Sequence, residues 1–180
     1  MASLDDPDSL TYNPLVPILD QHTFDFFSRS AEQTRRIGGR LGQGLEAGDL
    51  ICLQGELGAG KTTIVQGIAQ GWGTLDGVTS PTFVLVNEYR RPDGGLLFHF
   101  DAYRVESIPE AEELDIERML SEGALVVEWP ERVKSIFPDE ALWILMEHVA
   151  EEQRRIQFEA KGERYDHVLE RLQRGMFGVA

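Results

Sequence analysis

One cysteine, three lysines and no long apolar run: these scarcities bound what a chain of 180 residues can be. A single thiol cannot close an intramolecular disulfide, which excludes the cross-linked scaffold of small secreted domains. Cys52, between Ile51 and Leu53, reads as a small buried hydrophobe rather than a nucleophile. No stretch approaches the roughly 18 apolar residues of a membrane span, and MASLDDPDSLTYNPLVP has neither the basic nor the apolar segment of a signal peptide. The expectation is a soluble, cytoplasmic protein with no membrane partner. Positive charge is scarce as well, with 17 Lys+Arg against 31 Asp+Glu and a net of −14. From Asp101 to Ala160, 16 carboxylates stand against 6 basic residues, whereas Ile51 to Phe100 carries 4 against 3. A nucleic-acid backbone needs basic side chains to displace its counterions, so direct RNA binding is disfavoured. The acidic stretch reads as solvated surface, with a docking face for a basic protein as the sharper alternative.

What is present is an alternation of strand-like and helix-like segments. Residues 1–26, with three prolines and no periodicity, read as a flexible N-terminal extension, and 27–180 as one domain. Ser30-Ala-Glu-Gln33 has capping-box spacing, and Ile37, Leu41 and Leu45 follow at helical intervals before Gly48. A strand from Leu50 to Gln54 precedes a glycine loop and a helix from Thr62 to about Gln70. Two strands then flank the turn Arg91-Pro-Asp-Gly-Gly95 as a β-hairpin. A helix from Pro109 to Leu120, a strand from Ala124 to Glu128, a short helix after Pro130, strands near Leu142–Val149 and Arg155–Ala160 and a helix from Glu163 to Arg174 complete the pattern. The predicted fold is α/β, a mainly parallel sheet with antiparallel strands, flanked by helices.

Gly55-Glu-Leu-Gly-Ala-Gly60-Lys61-Thr62 satisfies G-x-x-x-x-G-K-[ST], with a strand before it and a helix after it. In such a P-loop the glycines let backbone N–H groups converge on phosphate oxygens at a helix N-terminus. The lysine bridges the β- and γ-phosphates, and the hydroxyl of Thr62 faces magnesium. A second magnesium ligand is expected at the C-terminal end of a neighbouring strand, where Asp101 (LLFHFD) and Glu128 (ALVVE) are the candidates. Thr82, in Thr79-Ser-Pro-Thr-Phe83, is a candidate switch residue that would sense a γ-phosphate, although Ser-Pro-Thr alone is more often an ordinary turn. His99 reads as a partly buried strand histidine.

The succession GELGAGKTT, SPTFVLVNEY, HFDAYR and VVEWPER, in this order and spacing, resembles the TsaE family, formerly called YjeE, over roughly Phe27 to Lys161. The resemblance implies a weak magnesium-dependent ATPase that acts in tRNA N6-threonylcarbamoyladenosine modification. It implies TsaB and TsaD as protein partners, with tRNA met only through that complex. It places the ATP phosphates on Gly58, Ala59, Gly60, Lys61, Thr62 and Thr63, magnesium on Thr62 and Glu128, and catalysis on Lys61, Asp101 and Glu128. Asp101 becomes a water- or metal-orienting carboxylate, and Trp129 lies near the nucleotide as a possible switch. Ala102 stands where the family often has leucine, and Asp115 where glycine is frequent. Other readings are weighed beside this one. A GTPase lacks both N-K-x-D and D-x-x-G here. A small-molecule kinase would use Asp101 and Arg104 on an acceptor, and a nucleotide-gated binding module would need no essential hydrolysis.

Overall fold

The computed structural model describes residues 22–75, 77–78 and 85–177. Seven strands form one sheet: β1 (Thr23–Ser28), β2 (Leu50–Gln54), β3 (Val86–Arg90), β4 (Leu96–Asp101), β5 (Gly123–Glu128), β6 (Ala141–Ala150) and β7 (Gln153–Lys161). Their spatial order is β1-β7-β6-β2-β5-β4-β3. The central strands β6, β2, β5 and β4 run parallel, and β7, β1 and β3 pair antiparallel at the flanks. This is the mixed α/β architecture expected from the alternating segments.

The middle strands are apolar over most of their length because both of their faces are covered. Side chains alternate across the sheet, so Ile51, Leu53, Val126 and Ile144 enter a core beneath the helices α1 (Ala31–Gln43), α2 (Lys61–Trp72) and α5 (Glu163–Phe177). Leu50, Cys52, Leu125 and Val127 enter the opposite core, with Ala111 of α3 (Ile108–Glu112) and Met119 of α4 (Ile116–Glu122). Register then sets the site. Glu128, at the end of β5, lies beside Leu53 of β2 and Asp101 of β4, so three strand ends meet along one edge of the sheet.

Helix α1 begins as its sequence predicts, with the Ser30 hydroxyl accepting from the Gln33 N–H and the Gln33 side chain accepting from the Arg29 N–H. It packs on α2 along a glycine seam. An added Cβ at Gly42 would lie 2.0 Å from the Ile68 carbonyl oxygen, and one at Gly67 would lie 2.1 Å from that of Arg35, so the two backbones touch where side chains are missing.

Several segments depart from the expected boundaries. Strand β1 takes in Thr23 to Phe26, assigned above to the extension; Phe24 is buried and stacks on Phe158 of β7 with centroids 5.7 Å apart. The helix expected over Pro109–Leu120 is two helices, because the Asp115 side chain accepts from the Arg118 N–H and caps a new start. Helix α1 ends at Gln43, leaving the buried Leu45 in the following turn, and the segment after Pro130 forms two 3-10 turns. Thr82 lies outside the described residues. Among the described residues, no helix is long and apolar enough to cross a membrane.

Candidate functional site

Strand β2 hands the chain to the loop Gly55–Gly60, and α2 starts at Lys61. Gly58 (φ 80°) and Gly60 (φ 103°) hold left-handed backbone that a side chain would oppose, and this curls the loop over the N-terminus of α2. No side chain caps that helix, so its first N–H groups remain donors for an anion. Ala59 is buried beneath the loop. From the start of β7, Arg154 Nε donates to the Ala59 carbonyl at 3.0 Å and braces the loop from outside.

Lys61 is almost fully buried, which is unusual for a lysine. Its Nζ donates to the carbonyls of Gly55 (2.7 Å) and Glu56 (3.0 Å) and sits 3.7 Å from the centroid of the Trp129 ring. Burial lowers the pKa of its amine, while the nearby carboxylates, Glu128 foremost, oppose that shift. Trp129 adopts φ 60°, a strained value for an aromatic residue, with its N–H bonded to the Leu53 carbonyl at 3.1 Å and its ring 5.1 Å from that of Tyr103.

The Thr62 hydroxyl donates to Glu128 Oε1 at 3.2 Å, and His99 Nε2 lies 2.9 Å from the same oxygen. Asp101 Oδ1 accepts from the Tyr103 N–H at 3.0 Å. Desolvation raises the pKa of Asp101, with Glu128 adding repulsion, while the Tyr103 N–H pulls the other way.

One cleft of about 320 Å3 brings together Gly58, Gly60, Lys61, Thr62, Thr63, Asp101, Glu128 and Trp129, whereas Ala59, also expected at the phosphates, is buried and outside the lining. Leu57 and Tyr103 join them without having been anticipated, and Arg104 is exposed and outside the lining. His99 was anticipated only as a strand residue. It is fully buried and bonded to Glu128, and its position two residues before Asp101, on the same face of β4, was the available signal. The contact of Arg154 with the loop had no local signal.

The donors are carboxylate and hydroxyl oxygens, which suit a hard cation such as Mg2+. Among the described residues, no three His, Cys, Asp or Glu side chains gather as a metal cluster. A cation here would complete its shell with water and phosphate oxygens, as Mg2+ commonly does.

The family model for "Threonylcarbamoyl adenosine biosynthesis protein TsaE" matches residues 28–156. The tRNA threonylcarbamoyladenosine biosynthesis protein TsaE of Bacillus subtilis is 38% identical over 145 residues, spanning 79% of this chain and 89% of that protein. Its counterpart in Streptomyces coelicolor is 40% identical over 137 residues, spanning 73% and 93%. The crystal structure of B. subtilis YdiB superposes with a TM-score of 0.71 at 31% identity, covering 86% of this chain and 96% of that one. With the family model matching over half of the chain and these relatives covered over most of their length, the chain belongs to the TsaE family of tRNA threonylcarbamoyladenosine biosynthesis proteins.

Proposed function

We propose that this protein binds ATP with Mg2+ at the P-loop and hydrolyses it slowly, in support of threonylcarbamoyladenosine formation by a TsaB–TsaD complex. The observation that carries this reading is the convergence of Lys61, Thr62, Asp101 and Glu128 in one cleft at the uncapped N-terminus of α2. The triphosphate lies along Gly58 to Thr63, its oxygens taking the open N–H groups of the loop and the first turn. Lys61, tied to two carbonyls in the free protein, exchanges them for phosphate oxygens, a stronger charge-assisted contact. Thr62 and Glu128 would hold Mg2+, which when bound neutralises charge on the β- and γ-phosphate oxygens. Asp101, made more basic by its burial, orients the attacking water.

The partner is a protein rather than RNA. The net of −14 repels a phosphate backbone and attracts basic protein surface, an attraction that weakens as salt rises. The exposed Leu57, on the loop at the lip of the cleft, offers an apolar contact there.

The test compares ATP binding and phosphate release for the wild type and Lys61→Ala, each alone, with RNA, and with TsaB and TsaD. The expectation is a folded variant that nearly loses binding or turnover, and a wild-type rate stimulated by the protein pair and not by RNA alone. Wild-type turnover in folded Lys61→Ala overturns the site. Full support of tRNA modification by a non-hydrolysable analogue replaces the ATPase reading with a nucleotide-gated module.

A further inference from the structure

We propose that His99 is a positioning residue for the Glu128 carboxylate, fixing which of its oxygens faces a cation; this rests on the reading of Glu128 as a Mg2+ ligand. A carboxylate only accepts, so in the 2.9 Å contact with Glu128 Oε1 the proton sits on His99 Nε2. The same Oε1 also accepts from the Thr62 hydroxyl. One oxygen is therefore held from two sides, and Oε2, with no hydrogen bond among the described residues, is the one left to coordinate.

The cost of this arrangement argues against a merely structural histidine. His99 is fully buried, and its Nδ1 has no hydrogen-bond partner among the described residues. An orphaned buried nitrogen is unfavourable, and an apolar side chain would fill the same place without it. Among the described residues, the hydrogen bond of this ring is the one to Glu128. Its orientation is set from two directions: β4 fixes the backbone between Asn87 of β3 and Val126 of β5, and the Tyr89 ring stacks on the imidazole with centroids 6.4 Å apart and planes 26° from parallel. Side chains that orient a metal-binding carboxylate in this way commonly govern metal affinity by about 10–100-fold.

The experiment titrates Mn2+ into the full chain with ADP present, read by electron paramagnetic resonance, with ADP affinity in chelator and the unfolding midpoint measured in parallel. His99→Leu removes the donor and His99→Gln places an amide N–H near the position of Nε2. The expected result is Mn2+ affinity weakened about 10–100-fold in His99→Leu, near wild type in His99→Gln, and metal-free ADP affinity unchanged in both. In a Glu128→Gln background the further effect of His99→Leu should vanish. Should His99→Leu fail to fold, His99→Asn, which sets the amide back from the carboxylate, takes its place. Wild-type Mn2+ affinity in the donor-deleted variant, or equal loss in both variants, overturns the proposal. Wild-type Mn2+ affinity in Glu128→Gln itself overturns the metal-ligand reading instead.

Discussion

Gly67 and Gly39 sit inside facing helices, and alanine should act on them with opposite signs. Alanine favours a helix interior over glycine by about 1 kcal/mol, so without tertiary contacts both substitutions would stabilise. At Gly39 of α1 the nearest atom to an added Cβ is the Gly67 oxygen at 3.6 Å, an ordinary contact, and a gain of about 0.5–1 kcal/mol is expected. At Gly67 of α2 the added Cβ would stand 2.1 Å from the Arg35 oxygen and 2.8 Å from its carbonyl carbon, both backbone atoms that no rotamer change can move. Against a normal separation of about 3.4 Å, the oxygen contact is short by roughly 1.3 Å. Relieving it lifts α2 from α1 along the seam where Ile37, Leu41, Ile64 and Ile68 are buried. Overpacking of this kind costs about 1–3 kcal/mol, and a backbone clash belongs at the upper end. Net destabilisation of about 1–2 kcal/mol should remain after the propensity gain. Urea unfolding measures both variants. Equal shifts of the same sign would falsify the seam argument, because propensity alone predicts that result.

Two further predictions concern titrating groups. Burial raises the folded pKa of Asp101 above the ordinary 3.8, so the native state holds that proton more tightly than the unfolded chain, and stability falls as pH rises from 3.8 through the folded value. Asp101→Asn should therefore raise the unfolding midpoint at neutral pH, with the gain shrinking as pH drops toward 4; a gain independent of pH would refute the cause. Burial pushes the Cys52 thiol up to about 12 with no exposed surface, so an aromatic disulfide reagent at pH 8 should react with it only as the protein unfolds. Fast stoichiometric labelling of native protein would contradict its place in the core.

What the sequence made legible was local. The P-loop spans eight consecutive residues, and LICLQ and LLFHFD are largely apolar runs that end in a polar residue, so the strands, the loop and the carboxylates at the strand ends could all be read along the chain. Boundaries were lost where a competing cap intervened: Asp115 restarts a helix inside a segment whose apolar spacing looks continuous. The start of β1 was lost although TFDF alternates polar and apolar side chains, because so short a run adjoins an aperiodic, proline-containing segment and the strand that pairs with it, β7, lies far along the chain. The glycine seam was invisible for another reason. Gly38, Gly42, Gly67 and Gly71 each weaken a helix by propensity, and only the opposed helix reveals what their missing side chains admit.

The supports of the candidate site were the least legible, because they join positions far apart in sequence: His99 to Glu128, Arg154 to Ala59, and Trp129 to both Lys61 and Leu53. Each acts on a group that the motif already names, holding an oxygen, a loop carbonyl or an amine in one orientation. A motif specifies which atoms can meet a phosphate or a cation. Their geometry is set by side chains whose identity is meaningful only after the sheet has brought three strand ends to one edge, and so chemistry is readable from a short string while precision is not.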